Sequence, residues 1–129
     1  MKILYLVRHA KSSWDQPELG DAERPLNKRG KTDAPIMGKM LASRGDYPEL
    51  LISSHAKRAF STAKRIAEEL EYPVKNIIIN EELYMADSDD YYKRNEAKRT
   101  LFKGGYIYPG VQVTGILAFG WVSELTKKI

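Results

Sequence analysis

The sequence has no cysteine and only two histidines, His9 and His55. Without thiols there are no disulfides and no thiolate metal sites, and two imidazoles do not make a histidine-rich metal centre. Nor is there a stretch near the roughly 20 apolar residues that a bilayer crossing requires. The apolar segment Ile3 to Val7 is too short for a secretory leader, carries no small-residue cleavage site and runs directly into Arg8. Together these absences predict a cytoplasmic protein with no membrane partner and no thiolate or histidine-rich metal site, and nothing in the sequence implies a metal or other cofactor. Charge of one sign is only modestly in excess, at +4 with a pI near 9.2; such a surplus keeps a chain soluble without implying a polyanionic partner. The basic residues are densest at Lys93, Arg94, Lys98, Arg99 and Lys103, yet Glu96 interrupts them and their spacing fits a solvated helix face. No nucleic-acid motif or platform of stacking aromatics accompanies them, so no nucleic-acid partner is expected. No feature specifies an oligomeric state.

With 129 residues, 43% hydrophobic and 29% charged, the chain fits one soluble globular domain over residues 1–129 with room for a core. The run Ile3-Leu4-Tyr5-Leu6-Val7 reads as a buried strand, and it ends abruptly in Arg8-His9. A core strand has no use for two cationic side chains. At the carboxyl end of a strand in an open α/β sheet they suit a ligand, because a guanidinium clamps two phosphate oxygens and a ring nitrogen can attack phosphorus. A loop follows from Lys11 to about Leu26, too polar and too broken by Pro17, Gly20 and Pro25 to be helical. Asn27 is the expected N-cap of a helix reaching about Arg44, with Ile36, Met37, Met40 and Leu41 on one face; Pro35 marks a late start or a kink, and Gly45 stops it. Glu49 to Ser54 reads as a second strand. Between Ala56 and Leu70 the positions Ala59, Ala63, Ile66, Ala67 and Leu70 have the spacing of a core-facing helix, and Ile77-Ile78-Ile79 forms a short third strand.

Alternating strands and helices imply right-handed crossovers and a parallel sheet. Parallel strands bring three sets of polar residues to one edge: Arg8 and His9 from the first, Ser53, Ser54 and the helical Arg58 from the second, Glu81 and Glu82 from the third. Arg58 falls in the first turn of its helix, where free N–H groups and the helix dipole favour an anion. Two arginines, a histidine and a carboxylate on one edge make a phosphate site with a proton donor.

Four segments in order, Leu4 to Ser12, Arg24 to Gly30, Ile52 to Ala59 and Glu81 to Tyr84, resemble the histidine phosphatase superfamily, whose fold is phosphoglycerate mutase-like, and within it the small SixA-type phosphohistidine phosphatases. The resemblance runs to about Asp90. It implies a three-layer α/β/α fold with a mainly parallel sheet, incomplete at the C-terminal end. It also implies a catalytic group of His9 as nucleophile, Arg8 and Arg58 on the phosphoryl oxygens, and Glu81 or its neighbour Glu82 as the acid. Ser12 falls where the family often places a hydroxyl near the phosphate. Arg24 either lines the entrance or anchors the loop. The implied substrate is a phosphorylated protein side chain, phosphohistidine above all, or a small phosphoester.

Beyond Asp90 the pattern departs from the family. A second pocket histidine, usually in a Gly-His motif after a fourth strand, has no counterpart here; Tyr108-Pro109-Gly110 echoes the turn without the imidazole. Divergence, a deletion or a disturbed reading frame over residues 91–122 would each produce this, and the nucleotide sequence there distinguishes them. His55 is the one substitute the chain offers, three residues before Arg58, where the family more often has proline at a first helical turn. Losing one preorganised transition-state donor typically costs about 10²–10³ in rate. Two readings follow: a phosphatase working through phospho-His9, and a phosphate-binding domain with little or no catalysis. A mutase reaction is disfavoured, since so short a chain has little material for a lid that excludes water.

Overall fold

A computed structural model describes residues 3–84 and 115–119. In chain order the elements are β1 (Ile3–Val7), α1 (Lys28–Ser43), β2 (Leu50–Ser53), α2 (Lys57–Glu69), β3 (Ile78–Ile79) and β4 (Gly115–Phe119), with single 3₁₀ turns at Asp21–Glu23, Val74–Asn76 and Glu81–Leu83. The strands form one sheet in the order β1-β4-β2-β3. β3 pairs parallel with β2, while β4 is antiparallel to both β1 and β2. The first three strands therefore point the same way, as the strand–helix alternation predicts. Val7 and Ser53 both lie opposite Gly115, and Ser53 lies opposite Ile79, so the three carboxyl ends are level along one edge. The architecture is mixed α/β. Because β4 runs against its neighbours, its amino end, Gly115, meets that edge.

Both helices pack on the face of the sheet that holds Tyr5, Val7 and Leu51. The core there joins Leu41 of α1, Leu51, the α2 residues Ala63, Ile66 and Ala67, and then Leu70 and Ile77. The expected α2 stripe is buried throughout, from Ala59 to Leu70. Truncating Ile66 to alanine at such a site costs about 2–5 kcal/mol.

α1 begins where the sequence places it: Asn27 is extended and its Oδ1 accepts from Gly30 N at 2.8 Å, the geometry of an N-cap. The helix runs from Lys28 straight through Pro35, so the proline does not delay its start. Its buried face, however, corrects the expectation. Gly30, Ala34, Gly38 and Leu41 are buried, whereas Ile36, Met37 and Met40 are about half exposed. Size, not hydrophobicity, decides this: a Cβ on Gly38 would press on Glu69 Cβ and the Ile66 backbone. The small residues let α1 and α2 approach closely, and the larger apolar side chains are turned outward.

Among the described residues no helix is long and apolar enough to cross a membrane. The basic cluster from Lys93 to Lys103, the Tyr108-Pro109-Gly110 segment and the expected second helical layer concern residues outside those described.

Candidate active site

Beyond the ends of β1 and β2 opens a cavity of about 580 Å³ lined by Arg8, His9, Ala10, Lys11, Ser12, Trp14, Asp21, Arg24, Arg29, Asp33 and Arg58. Five cationic side chains thus face two carboxylates. Arg8 is exposed at the mouth, while Arg58 and Arg24 are buried at 5% and 8% exposure.

His9 is fixed by two bonds of opposite sense. Its Nδ1 lies 2.7 Å from the Ala10 carbonyl oxygen, an acceptor only, so Nδ1 carries the proton. Nε2 then holds the lone pair and accepts from Arg58 Nε at 3.1 Å. Burial pushes the His9 pKa below its usual 6.5, and the charges of Arg58, Arg8 and Arg24 push the same way, against the raising effect of the Ala10 bond. The ring is a neutral base whose free nitrogen faces a guanidinium. Thr62 holds this corner to α2: its hydroxyl accepts from Ala10 N at 3.1 Å and donates to the Arg58 carbonyl at 2.8 Å.

The loop between β1 and α1 is folded back on itself. Ser12 bridges Leu26, Ser13 N donates to the Pro25 carbonyl at 2.8 Å, and Asn27 N donates to the Lys11 carbonyl at 3.0 Å. Gly30 lets α1 meet the loop, because a Cβ there would overlap the Lys11 carbonyl. Arg24 is both lining and anchor: Nε donates to the Ser13 carbonyl at 3.1 Å, Nη2 to Ser12 Oγ at 2.6 Å and Nη1 to Asp21 Oδ1 at 3.0 Å. Its guanidinium carbon lies 3.2 Å from the centroid of Trp14, a ring left 72% exposed at the rim. Ser12 lines the cavity with its hydroxyl engaged by Arg24.

Asp21 binds the loop to the floor. Its Oδ2 accepts from Arg58 Nη2 at 2.9 Å and from the Tyr84 hydroxyl at 2.7 Å, and its backbone carbonyl accepts from Arg58 Nη1. The Tyr84 bond and the two arginines hold its carboxyl below the usual 3.8, against desolvation.

Of the residues singled out from the sequence, the structure brings together Arg8, His9, Ser12, Arg24 and Arg58. Glu81 is exposed and does not line the cavity. The reason is local: β3 is two residues long, Asn80 N already donates to the Ser53 carbonyl, and the following turn buries Leu83 completely while leaving Glu81 outside. The side chain of Glu82 lies outside those described. His55 is exposed and packs on Tyr84, with ring centroids 4.7 Å apart, away from the cavity lining. Ser53 and Ser54 are buried behind the edge. Sequence reasoning missed Asp21, Thr62 and Tyr84. Asp21 had a signal, a carboxylate three residues before Arg24, and Tyr84 closes the fourth resembling segment; Thr62 had none beyond its place in the helix after β2. Among the described residues no group of three or more His, Cys, Asp and Glu is placed to hold a metal ion.

The histidine phosphatase superfamily (branch 1) matches residues 4–99. An uncharacterised chloroplastic protein of Arabidopsis thaliana is 43% identical over 53% of this chain and 31% of its own length. A 2,3-bisphosphoglycerate-dependent phosphoglycerate mutase of Bartonella bacilliformis is 34% identical over 64% of this chain and 43% of its own. Among solved structures, a protein assigned as phosphohistidine phosphatase SixA from Agrobacterium tumefaciens superposes with a TM-score of 0.62 at 32% identity, covering 70% of this chain and 57% of that one. The chain thus spans less than half the length of those two curated relatives.

Proposed function

Because the chain belongs to the histidine phosphatase superfamily, we propose that it is a cytoplasmic phosphatase, one domain over residues 1–129, that hydrolyses a phosphohistidine or another phosphomonoester through a phospho-His9 intermediate. The observation that carries this reading is the presentation of His9 Nε2, deprotonated and 3.1 Å from Arg58 Nε, in a cavity rich in cations. The likeness to a SixA protein favours a phosphorylated protein side chain over a metabolite, and the open cavity admits one.

In the first step the Nε2 lone pair attacks phosphorus, the bond to the leaving nitrogen or oxygen breaks, and the leaving atom keeps its electron pair and takes a proton from water. Arg8 and Arg58 stabilise the charge on the equatorial oxygens. In the second step water attacks phosphorus, the P–Nε2 bond breaks with its electron pair returning to Nε2, the proton lost by that water neutralises the hydroxide left by the first step, and orthophosphate departs. The arginines supply the positive charge this transfer needs.

The second reading, a phosphate-binding domain with little turnover, is favoured by the position of His55, which packs on Tyr84 outside the cavity lining. One experiment separates the two. Brief reaction with a radiolabelled phosphoramidate is expected to leave acid-labile, base-stable label on the protein, absent in His9→Ala. Saturable orthovanadate binding without label or turnover would select the second reading.

A further inference from the structure

A phosphoryl group cannot enter this cavity unopposed, because the Asp21 carboxylate already engages Arg58 and Arg24. All three nitrogens of the Arg58 guanidinium are engaged: Nε with His9, Nη1 with the Asp21 carbonyl and Nη2 with the Asp21 carboxylate. Those three bonds take three of the five guanidinium N–H groups, so a bidentate phosphoryl clamp either displaces a partner or shares Nη1 and Nη2 with Asp21, beside its carboxylate charge. The partners differ in freedom to move. The Arg58 side chain is 6% exposed and that of Asp21 43%, so the carboxylate has water to turn to and the guanidinium has not. Nor does the loop depend on Asp21 for closure, since the Ser12–Leu26 bridge, the Ser13 and Asn27 backbone bonds and Arg24 already fold it back.

Building on the phosphoryl-site reading above, we propose that Asp21 is a specificity-determining residue: a resident carboxylate that competes with the incoming phosphoryl group for Arg58 and thereby rejects anions that bring no other contact. Free orthophosphate has only the contacts to the phosphoryl group itself, Arg8 among them, to offset the displacement. A phosphorylated side chain on a larger partner adds the rim, where Lys11 and Trp14 are exposed. The Tyr84 hydroxyl sets how firmly the carboxylate is held, since it donates to the same Oδ2 that Arg58 engages.

The test is calorimetric titration of the whole chain with orthophosphate and with orthovanadate. Asp21→Asn is expected to bind both about tenfold more tightly, the loss of a charge-assisted competitor. Tyr84→Phe keeps the charge but loosens its hold, and is expected to gain about threefold by the same competition. Asp33→Asn removes an equal charge from the same cavity without touching Arg58; a gain equal to that of Asp21→Asn would reduce the effect to the general field and overturn the proposal. Unchanged or weaker binding in Asp21→Asn would also overturn it, and if that variant does not fold, the same result in Tyr84→Phe decides. Arg58→Ala tests the underlying reading separately: if it binds vanadate like the parent chain, the phosphoryl site itself is wrong.

Discussion

His9 owes its form to two neighbours that act differently. The Ala10 carbonyl fixes which nitrogen carries the proton, while burial and three arginines disfavour a second proton. A protonated ring has no lone pair for phosphorus, so under the proposed mechanism the shift keeps His9 competent as nucleophile toward acid pH. In an NMR titration the two histidine ring signals are readily assigned by His55→Ala. His9 is expected to titrate below 6.5 and to move upward in Arg58→Ala, which removes the nearest positive charge; a midpoint above 6.5 in the parent chain would contradict the described ring environment. Thr62 supports the same corner through the Ala10 N–H and the Arg58 carbonyl. Thr62→Val leaves the Ala10 N–H and the Arg58 carbonyl without their hydroxyl partner, which at a buried site costs about 1–3 kcal/mol. Urea unfolding measures that loss, and Thr62→Ser is expected to restore most of it.

At the scale of elements, the two helices end alike but with different residues. After α1, Asp46 N donates to the Leu41 carbonyl at 3.0 Å and Gly45 N to Ala42 at 2.9 Å, with Gly45 at φ +74°. After α2, Tyr72 N donates to Ala67 at 2.8 Å and Glu71 N to Glu68 at 3.4 Å, with Glu71 at φ +55°. Both are the paired bonds of a Schellman ending, which favours glycine in the left-handed position. Glu71→Gly is therefore expected to stabilise the fold by about 0.5–1 kcal/mol, read as a raised Tm, because the strain removed exceeds the unfolded-state entropy glycine adds. The helices were legible for the reason their caps and stripes were: Asn27, Gly45 and the Ala59-to-Leu70 stripe are local signals. The face of α1 was not, since only the approach of α2 shows that Ala34 and Gly38 belong inside and Met37 and Met40 outside. Gly30 is the same case in the site, and Gly30→Ala, by pushing α1 from the Lys11 carbonyl, is expected to lower both stability and vanadate affinity.

For the whole molecule, the level ends of β1, β2 and β3 were readable from strand order alone, and so was the meeting of His9 with Arg58, 49 residues apart. What those ends deliver depends on loop geometry that no periodicity encodes: a two-residue β3 turns too early for Glu81, and the folded-back loop supplies Asp21 instead. Asp21 then ties the loop to α2 and to Tyr84, which makes the site part of the fold's acid stability. The sign follows from the two shifts. His9 has a folded pKa below 6.5, so as pH falls through 6.5 the unfolded chain gains a proton the folded chain refuses, and stability drops until the folded value is reached. Asp21 has a folded pKa below 3.8; its contribution is present above that value and is lost as pH falls through the folded one. Its carboxylate is 43% exposed, so solvent screening makes this second loss the smaller per group. Thermal unfolding from about pH 8 down to about pH 3 is expected to show a falling Tm in two windows. His9→Gln is expected to remove the upper fall and Asp21→Asn to flatten the lower one. A Tm that rises as pH drops from 6.5 toward 5 would mean that His9 gains its proton more easily in the folded chain, and with that the neutral nucleophile would have to be abandoned.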